Sequence, residues 1–402
     1  MFQDCSLRLE RQVVSFGGLA YPMSSYSLTD KQTEFANKVL DLARTELESK
    51  SGLIDSQARY PREVLKKFAE FGLYGLAIPQ RYGGGGRSLL ETCLAVEQIA
   101  RVDNTAALCV AVNVGGLLPM LHGGNEDQKK RYLPGIASGE HTAGVAFTEP
   151  DAGSDLGSLR TRAVRKDDHY VINGRKCFIT NAGEASYYSL LARTGPEKNG
   201  ITAFFLDADI LLPGFSIGRV ERKMGVRGSP TGELIFEECK IPSENCLGEE
   251  GSGIDLAKGM LMFSRPLIGA QGVGLATGAF DYAREYAREH DERLISSFEV
   301  VRYMLADMAV KIEAARQLVY QAACAADSGQ SDAHILASMS KCFATDVAME
   351  VSVDAIQIFG FRGCTSDYPV ERFMRDAKLL QIYEGTNQIQ RDTIAKGILA
   401  GV

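Results

Sequence analysis

The period of the apolar residues changes twice along this chain of 402 residues, and that double change restricts it to a helical–sheet–helical architecture. From Ser27 to about Glu140 the spacing is helical. "LTDKQTEFANKVLDLARTEL" and "YPREVLKKFAEFGLYGLAIP" repeat apolar residues every three or four positions, and Pro61 suits the first turn of a helix. From about Thr142 to Gly248 short strand-like runs take over, among them "YYSLLART", "ITAFFLDA" and "GELIFEECKIP". "HYVINGRKCFITN" predicts a hairpin turning at Asn173-Gly174, a dipeptide that favours the tight turn between paired strands. After Gly251 helices return, long and dotted with small residues that permit close packing, as in a helical bundle. The expected division is an extension over 1–26, a helical domain over 27–141, a β domain over 142–248 and a bundle over 249–402.

Composition narrows the function classes. A net charge of -7 gives no electrostatic reason to expect nucleic acid as a partner. Nine cysteines without a CxxC pair suit reduced thiols, and five scattered histidines offer no metal cluster. No membrane insertion is expected. The longest uncharged run, Thr105 to Leu121, is interrupted by Asn113, Gly115, Gly116 and Pro119 and falls short of ~20 apolar residues. Residues 1–27 lack a secretory pattern and read as a poorly ordered extension. A cytoplasmic location is therefore expected, or the mitochondrial matrix if that extension is a transit peptide. The run "YGGGGRS" lacks the lysine of a P-loop and reads as a flexible connector.

Three segments could carry chemistry. In "VERFMRDAKLLQIYEGTNQIQRDTIAKGIL", Val370, Phe373, Met374, Ala377 and Leu380 form one helical stripe, and Ile394, Ala395, Ile398 and Leu399 form another. Asn387 and Gln390 fit an N-cap and its partner, so Glu384 falls in the connection between two helices. It reads either as a solvated loop acid or as a partly desolvated carboxylate, raised in pKa toward the range of a general base, with Gly385 leaving room beside it. The turn "AFTEPDAGSDLGSL" offers the hydroxyls of Thr148 and Ser154 and, at Gly153, close approach to main chain. It reads equally as a ligand loop or as an acidic strand cap. In "KCFITNAGEA", Phe178 and Thr180 share one face of a strand, as half-buried strand residues also do.

Seven blocks in register, "AFTEPDAGSD", "VINGRKCFITNAG", "KMGVRGSPTGELIFEECKIP", "LGEEGSG", "LADMAVKIEAARQLVY", "AIQIFG" and "YPVERFMRDAKLLQIYEGTNQIQR", resemble the acyl-CoA dehydrogenases from about Ser27 to the end. The resemblance implies an α+β multidomain fold: an N-terminal α-helical domain, a central β-barrel-like domain and a C-terminal four-helix bundle. It implies FAD between barrel and bundle, a homotetramer or homodimer, and an electron-transfer flavoprotein or other acceptor. The implied reaction is α,β-dehydrogenation of an acyl thioester, a carboxylate taking the α-proton while the β-hydrogen leaves as hydride to flavin N5. Glu384, in "IYEGT", matches the base position. Some members place the base on the first bundle helix, where this chain has Ser264, which cannot serve. By the same matching Phe147, Thr148, Gly153, Ser154, Phe178 and Thr180 line the flavin, Thr386 and Asn387 approach it, and Ser154, Arg265 and Gly385 lie near the thioester.

The chain departs from the family pattern along one cofactor-facing edge. An Arg-x-x-Phe-Gly signature is missing from "YAREHDERLISSFEVV", where His290 stands nearest the arginine's place. Glu299 replaces a glutamine and Phe361 a glycine, while Gln357 and Gly360 are kept. These changes imply weakened or rearranged FAD binding across a subunit interface, or a different assembly. Met262 replaces an aspartate common three residues before Arg265, which admits an acyl-carrier-protein thioester as well as an acyl-CoA. The uncharged run from Thr105 implies a neutral, short-to-medium or branched acyl group. A redox-inactive family member that binds flavin or a partner is the remaining reading.

Overall fold

The structure is a computed structural model that describes residues 28–197, 200–208, 212–289 and 295–401. The N-terminal extension and His290 lie outside the described residues. The first helical block holds α1 (Asp30–Leu47), α2 (Ser51–Ser56), α3 (Arg62–Glu70), α4 (Leu89–Ala100), α5 (Asn104–Gly123) and α6 (Glu126–Ser138). Side chains set several of the starts. Thr29 with Gln32, Ser88 with Glu91 and Asn125 with Gln128 form reciprocal capping boxes, each satisfying two otherwise orphaned N–H groups.

Helix α5 differs from its neighbours because it is apolar on every side, which marks a helix enclosed by protein. It is long and apolar enough to cross a membrane, contrary to the expectation drawn from its glycines and proline. Yet 83% of its most apolar window is buried inside the protein. Gly116 lets it close on the sheet, since a Cβ there would sit 2.6 Å from the amide nitrogen of Gly144. The run from Gly83 to Gly86 is no flexible connector. The N–H groups of Gly85, Gly86 and Arg87 donate to the carbonyls of Gly75, Ile78 and Leu76, and a Cβ at Gly84 would lie 2.1 Å from the Ile78 carbonyl oxygen. The glycines are there for tight packing of backbone on backbone.

The middle of the chain is a mixed eight-stranded sheet of β1 (Ala143–Ala146), β2 (Arg162–Lys166), β3 (His169–Thr180), β4 (Tyr187–Arg193), β5 (Ile201–Asp207), β6 (Phe215–Val220), β7 (Thr231–Pro242) and β8 (Cys246–Leu247). The order is β6-β7-β3-β2-β4-β5-β8, with β1 pairing parallel to β4. Tyr170, Ile172, Tyr188, Phe204, Leu234 and Phe236 fill its core. The hairpin turn does not fall at Asn173-Gly174. It falls at Asp167, whose φ is +48°, and Asp168, while β3 runs on through Gly174 at a register slip against β7. Gly174 is needed for closeness: with φ at +150°, a Cβ would meet the Thr161 hydroxyl at 2.6 Å.

The last block holds α7 (Gly253–Glu289), α8 (Glu299–Asp327), α9 (Ala333–Phe359), α10 (Val370–Leu380) and α11 (Asn387–Ala400). A single apolar core runs from α1, α4 and α5 into α7, α8 and α9, so the two ends of the chain fold around each other. A buried carboxylate joins them. Glu97 on α4 accepts from Arg316 Nε at 3.0 Å and from the Tyr320 hydroxyl at 2.9 Å, both on α8.

Candidate active site

A cavity of about 440 Å³ lies where the sheet, α5, α7 and the α10–α11 connection meet. Its most unusual wall is that connection. Glu384 has φ +56° and Gly385 φ +91°, two successive left-handed residues. A non-glycine residue there costs roughly 1–2 kcal/mol, so the neighbours must hold it. Gln390 Nε2 donates to the carbonyls of Glu384 and Gly385, at 3.2 and 2.9 Å, and Lys341 Nζ donates to the Gly385 carbonyl at 2.8 Å.

The left-handed pair also shifts the start of α11. Thr386, with φ -56° and ψ 152°, is the N-cap, and its hydroxyl accepts from the Ile389 N–H. The expected cap, Asn387, is the first helical residue and turns into the bundle. There it accepts from Lys341 Nζ at 2.8 Å and donates to Asp346 Oδ1 at 2.7 Å.

The Glu384 carboxylate accepts from the Ser264 hydroxyl of α7 at 2.9 Å. Burial pushes its pKa above the ordinary glutamate value, opposed by the Ser264 hydrogen bond and by the charges of Arg265 and Lys341. A carboxylate moved upward is a stronger base, which is what abstraction of a weakly acidic proton needs. Arg265, one residue on, lines the same cavity. Its Nη1 donates to the Ser338 hydroxyl at 2.9 Å, while its buried Nε finds no acceptor among the described residues.

The opposite wall comes from the turn after β1 and the end of β3. Phe147, Thr148, Gly153 and Ser154 line the cavity from the turn, and Phe178 and Thr180 line it from the strand. The turn is anchored by Glu149, which accepts from the N–H groups of Arg160 and Thr161 at 2.6 and 2.9 Å and from Lys176 Nζ at 2.7 Å. Lys176 is wholly buried, and burial pulls its pKa down to about 8 against the attraction of Glu149. Between Lys176 and Ile179 the register against β7 slips, and Phe178 there has φ +56° with its side chain 62% exposed. A strained backbone that presents an aromatic ring to a cavity is a surface prepared for a flat partner.

The structure thus brings Glu384, Gly385, Thr386 and Arg265 to face Phe147, Thr148, Gly153, Ser154, Phe178 and Thr180. It does not bring Asn387, Gln357 or Gly360 to this cavity. Asn387 is buried behind the turn, and Gln357 and Gly360 are exposed at the far end of α9. Sequence reading missed Lys341, Lys176 and the Tyr383 hydroxyl, which donates to Gln271 Oε1 at 2.9 Å. A lysine inside the otherwise uncharged helical run "HILASMSKCFAT" is the signal that could have found Lys341.

A buried carboxylate, an exposed aromatic ring and several hydroxyls lining one cavity, on a helical–sheet–helical frame, are the features of an enzyme site with room for a flat cofactor. Models of the acyl-CoA dehydrogenase N-terminal, middle and C-terminal domains match residues 29–140, 144–239 and 251–399. The chain belongs to the acyl-CoA dehydrogenase family, FAD-dependent flavoprotein oxidoreductases acting on CH–CH bonds. A probable acyl-CoA dehydrogenase of Mycobacterium tuberculosis is 45% identical over 378 residues, covering 93% of this chain and 97% of that one. The structure of butyryl-CoA dehydrogenase from Megasphaera elsdenii superposes with a TM-score of 0.91 at 38% identity, covering 94% of this chain and all of that one. The prolyl acyl carrier protein oxidase AnaB superposes with a TM-score of 0.88 at 32% identity, covering 92% of this chain and 100% of that chain. The exposed Phe178 ring and the Thr148 and Thr180 side chains fit a flavin ring system.

Proposed function

We propose that the chain catalyses α,β-dehydrogenation of a neutral short-to-medium or branched acyl-CoA, with Glu384 as the base that takes the α-proton. The observation that carries this reading is the Glu384 carboxylate itself, raised in pKa by burial and held by Ser264 at the edge of the cavity. FAD, when bound, would supply an acceptor for the β-hydrogen and its electron pair. Phe147, Thr148, Gly153, Phe178, Thr180 and Thr386 would hold it, while Ser154, Arg265 and Gly385 would meet the thioester. Glu384 lies between α10 and α11, outside either helical ladder, so its N–H can donate to a thioester oxygen as enolate-like charge builds. Val112, Val145, Met260 and Leu261 give the cavity apolar walls, which exclude water and favour a neutral chain. An electron-transfer flavoprotein is the expected acceptor of the electrons.

The test is anaerobic bleaching of the bound flavin. Butyryl-CoA is expected to bleach the wild type. Glu384→Gln is expected to keep its flavin and bleach about 10²–10⁴-fold more slowly. Undiminished bleaching in that variant excludes Glu384 as the base. Met262 supports a second reading, a carrier-protein thioester. Bleaching by a butyryl-carrier protein but not by butyryl-CoA decides for it, and failure of both supports a redox-inactive member.

A further inference from the structure

We propose that Lys341 is the positioning residue of this site, holding the Glu384–Gly385 turn in its left-handed conformation. The inference rests on the reading of Glu384 as the base.

Lys341 lies in the middle of α9 and is wholly buried. A buried ammonium is ordinarily paired with an acid, because an unpaired one forfeits its hydration. Here both hydrogen-bond acceptors are neutral oxygens: the Gly385 carbonyl at 2.8 Å and Asn387 Oδ1 at 2.8 Å. The first belongs to the residue that follows the strained glutamate, and the second opens the helix beyond it. The cation therefore grips the turn on both sides of Thr386.

The grip is rigid because its far anchor is fixed. Asn387 donates to the Cys342 carbonyl and to Asp346 Oδ1, at 3.2 and 2.7 Å, and exchanges hydrogen bonds with Thr345. The charged and titratable groups around Lys341 are Glu384 on the turn, Arg265 on α7, and Cys342 and Asp346 on α9; Arg391 on α11 binds Asp346. Burial lowers the ammonium pKa to about 7, partly offset by Cys342, Glu384 and Asp346 and assisted by Arg265. Its charge acts in the opposite sense on Glu384, lowering that carboxyl from where burial alone would leave it. A methionine would fill the same helical position without the desolvation penalty, and it would give the turn neither the donors nor the charge.

The experiment compares Lys341→Met and Lys341→Gln holoenzymes with wild type and Glu384→Gln, using butyryl-CoA. Lys341→Met is expected to retain flavin and lose roughly ten- to a hundredfold in kcat with little change in KM. The acid limb of its kcat profile should move up by about one unit, since a neighbouring cation no longer favours the carboxylate. Lys341→Gln keeps a donor without the charge. It should recover part of the kcat while leaving the limb raised. Infrared titration of the Glu384 carboxyl, referenced to Glu384→Gln, should move with the limb. The proposal is overturned if Lys341→Met keeps a wild-type kcat and limb. It is equally overturned if the kcat loss follows flavin loss and melting temperature while the carboxyl titrates as before. Should Lys341→Met not fold, Lys341→Gln carries the limb and infrared readouts. If Glu384→Gln proves active, the base reading fails alone, and the infrared shift still decides whether Lys341 sets that carboxyl.

Discussion

A left-handed glutamate followed by a left-handed glycine is a residue-scale feature with residue-scale consequences. The glycine was legible in the sequence as space beside the acid, and the acid as a residue of the connection between two helical stripes. The strain was not, because φ at Glu384 is imposed by Gln390 and Lys341, and Lys341 lies on a different helix. Ser264 was legible only as a residue unable to act as a base, whereas the structure makes it a donor to the carboxylate. Its hydrogen bond lowers the Glu384 pKa, so Ser264→Ala should raise the acid limb of the kcat/KM profile, by about half a unit to one unit. A limb that stays in place shows that the hydroxyl and carboxylate part before catalysis. Phe178→Ala should shorten flavin retention on dilution, measured by fluorescence of the released flavin, because the ring contributes contact area of a kind worth about 0.5–1.5 kcal/mol.

Elements set the site's frame, and here composition misled at one turn and guided well elsewhere. Asn173-Gly174 has hairpin chemistry, but a dipeptide cannot report that Thr161 packs against the glycine from a neighbouring segment. Gly174→Ala should therefore lower stability by about 1–3 kcal/mol, read from chemical denaturation, although no turn is lost. On α10 the apolar stripe was plain, yet Asp376 shares the buried face and accepts from the Val226 N–H at 2.5 Å. Burial raises its pKa from 3.8 to about 7. The folded state then holds a proton that the unfolded chain has released, so this group costs stability as pH climbs through that window, at most about 1.4 kcal/mol per unit. Asp376→Asn should match wild type near pH 4 and melt progressively higher than it toward pH 7. Parallel melting curves across that range would show that the carboxyl is already ionised in the fold.

At the scale of the molecule, the three-part order was readable because periodicity survives without tertiary knowledge, whereas the joining of the outer parts into one core was not. Helices disclose which face is apolar but not which distant helix covers it. On α8, Val300, Tyr303 and Val310 form an exposed stripe, and Phe343 and Val353 of α9 and Phe361 beyond it are exposed too. Apolar surface of this extent suits a second copy of the chain. Sedimentation velocity is expected to show a dimer or tetramer, and Tyr303→Lys with Val310→Lys to shift it toward single chains. An unchanged distribution would move the interface elsewhere. Helix α5 has a consequence for how the chain reaches this state. It leaves the ribosome well before α7, one of the elements that shield it, exists. Until then the nascent polypeptide displays a segment greasy enough to partition into lipid or into another unfinished chain. Lesions far from Glu384 that delay burial of this helix would therefore show themselves as inclusion bodies and chaperone demand, while whatever protein does mature retains its chemistry.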